Sequence, residues 1–174
     1  MSLKFKKRFD EMIRVDHAGE YGAQQIYSGQ IKFTKDKNLK KLLEKMANEE
    51  EEHLKYFESV MLDKRIRPTL LGGVWKIGGF SLGALTALLG KNYVMACTEA
   101  VEDIIVKHYE QQLHEIPSSE EKEIRKKIKK FLADEDQHKE TGAAGISSNN
   151  FKLNFFKFLI KGLTKTAIRL SEKI

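Results

Sequence analysis

Cysteine is nearly absent. Cys97 stands alone, so neither an intramolecular disulfide nor a cysteine-built zinc cluster can form. That usage suits a reducing compartment, and Cys97 itself reads as a small buried apolar residue. Proline is as scarce, with 2 in 174 residues, which leaves long stretches free of helix breakers. Alternation of β-branched and polar residues is also missing, and with it any convincing strand pair. No secretory signal is visible, because charges interrupt the start. A patterned stretch begins by Arg14, which leaves no room for a cleavable mitochondrial segment. The chain is therefore expected to be bacterial or already mature. The length suits one domain, residues 1–174, with a sizeable core.

What is present is helical periodicity. Six helices are expected at about 5–33, 36–64, 69–90, 91–116, 119–142 and 151–172. In the first, Phe9, Ile13, Asp16, Glu20, Ala23 and Tyr27 recur at alternating steps of four and three. The second carries Leu39, Leu43, Met46, Glu50, His53, Phe57 and Val60 in the same rhythm. That phase selects Glu50 from the acidic run and leaves Glu49, Glu51 and Glu52 to solvent. The fourth carries Met95, Thr98, Glu102, Ile105, Tyr109, Leu113 and Ile116. There Glu102 is central, Glu99 is a competing ligand one turn away, and Asp103 points elsewhere. The fifth starts from Ser118 or Ser119 as a cap. It presents Ile124, Ile128, Phe131, Glu135 and His138, with Asp134 and Asp136 facing away.

Two of these helices contain Glu-x-x-His, at Glu50–His53 and Glu135–His138. Positions i and i+3 share a helix face, so a carboxylate and an imidazole can hold one ion. Glu20 lies thirty positions before Glu50, and Glu102 thirty-three before Glu135. A helix, a turn and an antiparallel return bring such pairs to one level of a bundle. Four carboxylates and two imidazoles then converge, a set suited to iron or manganese rather than four-coordinate zinc.

The formal net charge is +6. Its lysines are dispersed and no nucleic-acid motif accompanies them, so nucleic acid is not an expected partner. Residues 69–90 form the most apolar stretch. Their length approaches the ~20 residues of a membrane span, but Lys76 and several glycines interrupt them. A buried helix or hairpin, an interfacial or tunnel-forming helix, and a true span all stay open. Residues 151–172 set Phe151, Phe155, Phe156, Phe158, Leu159, Leu163 and Ile168 beside Lys152, Lys157, Lys161, Lys165 and Arg169. This is a basic amphipathic helix, fit either for packing on the core or for a membrane surface.

Arg14-Val15-Asp16-His17-Ala18-Gly19-Glu20-Tyr21-Gly22-Ala23, with Ile26-Tyr27 and Gly29-Gln30, resembles the signature opening of the demethoxyubiquinone hydroxylases of ubiquinone biosynthesis. Arg67-Pro68-Thr69, Phe80–Gly90, Met95-Ala96-Cys97-Thr98 and the run from Val101-Glu102 to His108-Tyr109 are similar as well. The resemblance extends to Leu170-Ser171-Glu172-Lys173. It implies an all-α, ferritin-like four-helix bundle with an added apolar helical segment and a C-terminal amphipathic helix. It further implies two iron ions held by Glu20, Glu50, His53, Glu102, Glu135 and His138, and hydroxylation of a demethoxylated quinone ring with O₂. His108-Tyr109 matches a family pair assigned to electron or proton transfer. Asp134, Asp136 and Gln137 depart from a more Glu-rich pattern.

Asp16, one turn before Glu20, is a candidate to accept a hydrogen bond from a ligand histidine. His17 is expected to be structural. A polyprenyl quinone implies peripheral membrane contact through 69–90, with Trp75 and Phe80 as contacts, and through 151–172. The expected location is the cytoplasmic face of a bacterial inner membrane, or the mitochondrial inner membrane for a mature eukaryotic chain. A lipid-presenting partner protein is compatible with this. The rival readings are a ferroxidase or manganese catalase of the same fold, a non-catalytic quinone- or lipid-binding helical protein, and a remote di-iron tRNA hydroxylase.

Overall fold

The computed structural model describes residues 3–117 and 121–174. Among them are six helices and no strand: α1 Leu3–Phe33, α2 Lys37–Lys64, α3 Gly72–Leu89, α4 Lys91–Glu115, α5 Lys122–Ala144 and α6 Phe151–Lys173. The expected boundaries hold within three residues. Local chemistry explains several ends. Asp36 caps α2 by accepting from the N–H groups of Asn38 and Leu39, and Asn150 caps α6 by accepting from Leu153 N–H. Gly90, at φ 103°, is a one-residue joint between α3 and α4 that an L side chain would strain. Ser118 and Ser119, the expected start of α5, lie outside the described residues. Glu121 precedes Lys122 in the left-handed region, and its carboxylate pairs with Lys64 at 3.0 Å.

Helices α1, α2, α4 and α5 make a four-helix bundle. α2 returns antiparallel to α1 across a three-residue turn. α4 also runs antiparallel to α1, as the pairing of Asp16 with Gln112 and of Glu20 with Tyr109 requires. α2 and α4 are therefore parallel, and α3 supplies the crossover between them. This one-crossover arrangement is the ferritin-like topology.

The bundle is layered along its axis. At one end Phe9, Met12, Ile13, Phe57, Tyr109, Ile128 and Phe131 form an apolar cluster. At the other, Tyr27, Leu39, Leu43, Met46, Val94 and Met95 form a second. Each large side chain fully buried there contributes about 1.5–3 kcal/mol. The polar layer sits between them, and the two plugs keep water from reaching it along the axis.

α3 and α6 flank this bundle. α3 lies parallel to α1 at backbone contact. A Cβ on Gly83 would stand 2.0 Å from the Ile26 carbonyl oxygen, and one on Gly29 2.2 Å from that of Phe80. Gly79 and Gly83 of this stretch thus serve close packing, whereas Gly72, Gly73 and Gly78 have open space where a Cβ would stand. Among the open readings of that stretch, the structure gives a single helix on the bundle's outside, with Val74, Ile77, Leu85, Leu88 and Leu89 exposed. It is long and apolar enough to cross a membrane by length and composition. Trp75 and Phe80 are not its outermost residues: Trp75 lines a cavity, and Phe80 packs against Phe33.

α6 rests on α4 and α1. Lys157 pairs with Glu99 at 3.1 Å and Lys161 with Asp103 at 2.7 Å. Its far end is held by Arg8 on the Glu172 carboxylate and Arg14 on the Glu172 carbonyl. Between α1, α3, α4 and α6 lies a cavity of about 290 Å³, walled almost wholly by apolar side chains. Val74 and Leu163 line it and are also exposed, so its mouth opens between α3 and α6.

Candidate metal centre

The helical stripes deliver the six expected residues to one place. Ligating atoms of Glu20, Glu50, His53 and Glu135 lie within 4.8 Å of one another, and so do those of Glu50, Glu102, Glu135 and His138. All six side chains are buried. Glu50 and Glu135 belong to both groups, so two ion positions would share two carboxylates. Each position adds one further carboxylate and one imidazole.

The donor atoms fit such ions. His53 Nδ1 stands 2.9 Å from Glu135 Oε1 and 3.6 Å from Glu20 Oε2. His138 Nδ1 stands 3.1 Å from Glu50 Oε1 and 3.3 Å from Glu135 Oε2. Yet His53 Nδ1 and both oxygens of Glu135 are buried without a properly aligned hydrogen bond. Buried polar atoms rarely go unpaired, and three of them converging on one centre suit a shared cation.

Electrostatics agree. Burial pushes the Glu50 and Glu102 carboxyls well above their ordinary range, and the neighbouring carboxylates Glu135 and Glu20 add to the push. Burial would lower the pKa of His53, but Glu135 and Glu20 more than offset it and lift that pKa to about 10. His138 is raised in the same way, against burial, by Glu135 and Glu49. Glu135 is held below the ordinary carboxylate range: burial opposes this, but His138 and His53 outweigh it. Without a cation, then, the cluster compensates its charge with protons.

Two positions that helical phase assigns to solvent belong to the site. His53 Nε2 lies 3.2 Å from Asp134 Oδ2, and His138 Nε2 lies 2.9 Å from Glu49 Oε2. Each carboxylate is the residue just before a ligand glutamate, and each reaches across to the opposite helix. Their side chains are 31% and 38% exposed, so they sit at the rim and bond inward. A carboxylate on the outer nitrogen fixes the tautomer that leaves the inner nitrogen's lone pair free. Paired Asp/Glu-Glu-x-x-His runs are the sequence signal for this.

Asp16 does not take that role. Its Oδ1 lies 3.2 Å from His108 Nε2 and accepts from Gln112 Nε2 at 2.6 Å. Asp16 is fully buried, and burial raises its pKa against the pull of His108 and Gln112. Beside it, the Tyr109 hydroxyl donates to Glu20 Oε1. Asp16, His108 and Gln112 thus form one hydrogen-bonded group, and Tyr109, next to His108 in sequence, meets the cluster at Glu20. Glu99 is occupied by Lys157, and Asp103 by Lys107 and Lys161. His17 is half-buried outside the cluster, and burial lowers its pKa.

An all-α ferritin-like bundle with a paired, buried Glu/His cluster at mid-height defines the class: a ferritin-like helical protein whose cluster could bind metal. Comparison with known proteins narrows it. The family model described as "Ubiquinone biosynthesis protein COQ7" matches residues 7–171. The NADPH-dependent 3-demethoxyubiquinone 3-hydroxylase of Dictyostelium discoideum is 40% identical over 174 residues, covering 98% of this chain and 80% of its own. The mitochondrial enzyme of the same name from Rattus norvegicus is 41% identical, covering 94% and 77%. The 3-demethoxyubiquinol 3-hydroxylase of Rhodospirillum rubrum is 38% identical, covering 95% and 78%. The chain belongs to the COQ7 family of ubiquinone biosynthesis.

Proposed function

We propose that this chain is the di-iron monooxygenase that hydroxylates the ring of a demethoxyubiquinone during ubiquinone synthesis. The observation that carries the reading is the adjacency of two cavities. A narrow gap of about 10 Å³, lined by Tyr27, Thr98 and Glu102, shares Ala23, Ile26 and Val101 with the 290 Å³ apolar cavity. An apolar cavity on the flank thus lies next to a gap that a carboxylate of the cluster lines.

Glu20, Glu50, His53, Glu102, Glu135 and His138 would hold two iron ions. The four carboxylates match the charge of two divalent ions. Reduced iron supplies the activation of O₂ that no side chain can perform. The overall change replaces a ring C–H by C–OH and forms water, consuming O₂, two electrons and two protons. The relatives from Dictyostelium discoideum and Rattus norvegicus are named NADPH-dependent. The polypeptide does the rest. Asp134 and Glu49 orient the two imidazoles. Tyr109 holds Glu20 by its hydroxyl and can move a proton there, and Asp16 positions His108, the preceding residue in sequence. The apolar cavity takes the polyprenyl tail and keeps bulk water from the reacting ring.

A polyprenyl quinone stays in the bilayer, so the protein meets it there. α3 and α6 line one cavity; α3 exposes Ile77, Leu85 and Leu88, and α6 exposes Phe155, Phe158 and Leu163 with Lys152, Lys165 and Arg169. That combination suits peripheral attachment to an anionic membrane with the cavity mouth facing it. The test is complementation of a strain lacking quinone-ring hydroxylation, followed by chromatography of its quinones. Restored ubiquinone is expected. Persistence of the demethoxy precursor beside a metal-loaded protein would sink the reading.

A further inference from the structure

The inner end of the cavity carries an unused hydrogen-bond donor. Tyr27 is 2% exposed, and its hydroxyl is buried with no hydrogen-bond partner among the described residues. Thr98 stands close enough to act on that hydroxyl, but the pair falls short of full hydrogen-bond geometry. The Tyr27 ring is wedged among Leu39, Leu43, Met46 and Val94, so the hydroxyl cannot swing out to solvent. It looks into the narrow gap that Thr98 and Glu102 also line. Leaving a buried donor unmade is costly unless something else supplies the acceptor. The gap, about 10 Å³, holds roughly one water-sized group rather than a ring. The wider cavity outside it has room for a ring, and Ala23, Ile26 and Val101, which line both, are the neck that a ring oxygen would have to pass.

We infer that Tyr27 is the substrate's polar anchor: its hydroxyl donates to one ring oxygen of the quinone, projected through the neck, and so fixes which ring edge faces Glu102. This rests on the hydroxylase reading above and adds a specificity residue to it. Tyr27 stays a donor at ordinary pH, because burial first, then Glu102, Glu50 and Glu135, hold its proton on. An apolar tail alone gains nothing from this hydroxyl, so Tyr27 distinguishes an oxygenated ring from a plain hydrocarbon.

Trp75 is the only tryptophan and lines the cavity, so its fluorescence reports occupancy in the metal-free protein. The probes are a dimethoxy-methyl-benzoquinone with a two-isoprene tail, read by quenching, and the same tail on an oxygen-free methylbenzene, read by displacement of the quinone. The natural chain should favour the quinone, and Tyr27→Phe should reduce that preference about tenfold, the size of one hydrogen bond. Iron content should not change. The melting temperature of the metal-free variant should stay level or rise, since no internal bond is lost.

An unchanged preference would overturn the inference, whatever water or side chain then satisfies Tyr27. A clear drop in melting temperature would expose an internal partner, and lost iron would place the hydroxyl in the service of the cluster; either result also overturns it. If the natural chain binds no quinone at all, the hydroxylase reading itself falls, and this inference with it.

Discussion

The bundle and its flank bury opposite things. In α1, α2, α4 and α5, six ionisable side chains are buried between two apolar plugs. In α3 and α6, large apolar side chains such as Ile77, Leu88, Phe151 and Phe158 are exposed, and ion pairs hold the helix edges. By the ordinary logic of a protein in water, both regions are inside out. On the proposed function, a cation pair would account for the bundle's inversion and a lipid surface for the flank's. An unexplained buried charge or exposed apolar patch therefore points to what a region meets, and each inversion can be tested by removing its cause.

The largest effect is expected in the bundle. Glu50→Gln removes a carboxylate shared by both ion positions. Iron bound per chain, measured by metal analysis, should fall well below that of the natural protein, and quinone hydroxylation should be lost. The metal-free variant should nevertheless melt higher, because a carboxyl held far above its usual pKa by burial is unfavourable once ionised.

The pH dependence follows the same sign. Glu50, Glu102 and His53 bind protons more tightly folded than unfolded. The stability they contribute is complete at low pH and is lost as pH rises through their folded values, for His53 from about 6.5 to about 10. Glu135, shifted downward, acts oppositely, and only in the acid range. The melting temperature of metal-free protein should thus fall between pH 6.5 and pH 10. A rise over that range would show that the protons do not stand in for the metal.

Next come the reciprocal carboxylates. Asp134→Asn and Glu49→Gln should each lower iron affinity or turnover about 10–100-fold, read by chelator competition and by product formation. Because the two sit on equivalent imidazoles, the losses should be of similar size. A loss confined to one variant would break the internal symmetry of the site.

In the flank, Gly83→Ala forces a methyl group into the Ile26 carbonyl. Overpacking of this kind costs about 1–3 kcal/mol, measurable by urea unfolding, while iron loading should persist. The smallest stability effect belongs to Ile77→Ser with Phe158→Ser. Both residues are 70% exposed or more, so stability should move within about 0.5 kcal/mol each. Binding to vesicles containing anionic lipid should drop markedly. If stability fell instead, these side chains would be packing residues rather than a docking face.

The bundle was more legible in the sequence than the flank. All six cluster residues follow from helical phase, because each helix turns its own stripe toward the common axis. Glu49 and Asp134 escaped for the same reason. Phase on one helix assigns them outward, and only the register between α2 and α5 shows them reaching a neighbour's imidazole. Phase places Asp16 on the inward face, but only the packing of α4 on α1 shows that His108 and Gln112 reach it. In 69–90 the glycines were visible, but whether they marked a bend or a contact depends on the helix they meet. Lys157 and Lys161 read as surface charge until Glu99 and Asp103 appear across from them.

The crossover has a consequence for chain entropy. Two parallel helices, α2 and α4, oblige the polypeptide to travel back along the bundle before it can resume. At 1.5 Å per residue the 18 residues of α3 cover about 27 Å. A flexible loop doing this would have to be restrained over its whole length, whereas a helix restrains itself. A variant lacking α3 would need at least about eight fully extended residues to bridge the same distance. Such a chain could still close its bundle and gather its six ligands, but it would have no outer wall for the tail. The return path of the chain and the wall of the cavity are thus one segment of sequence.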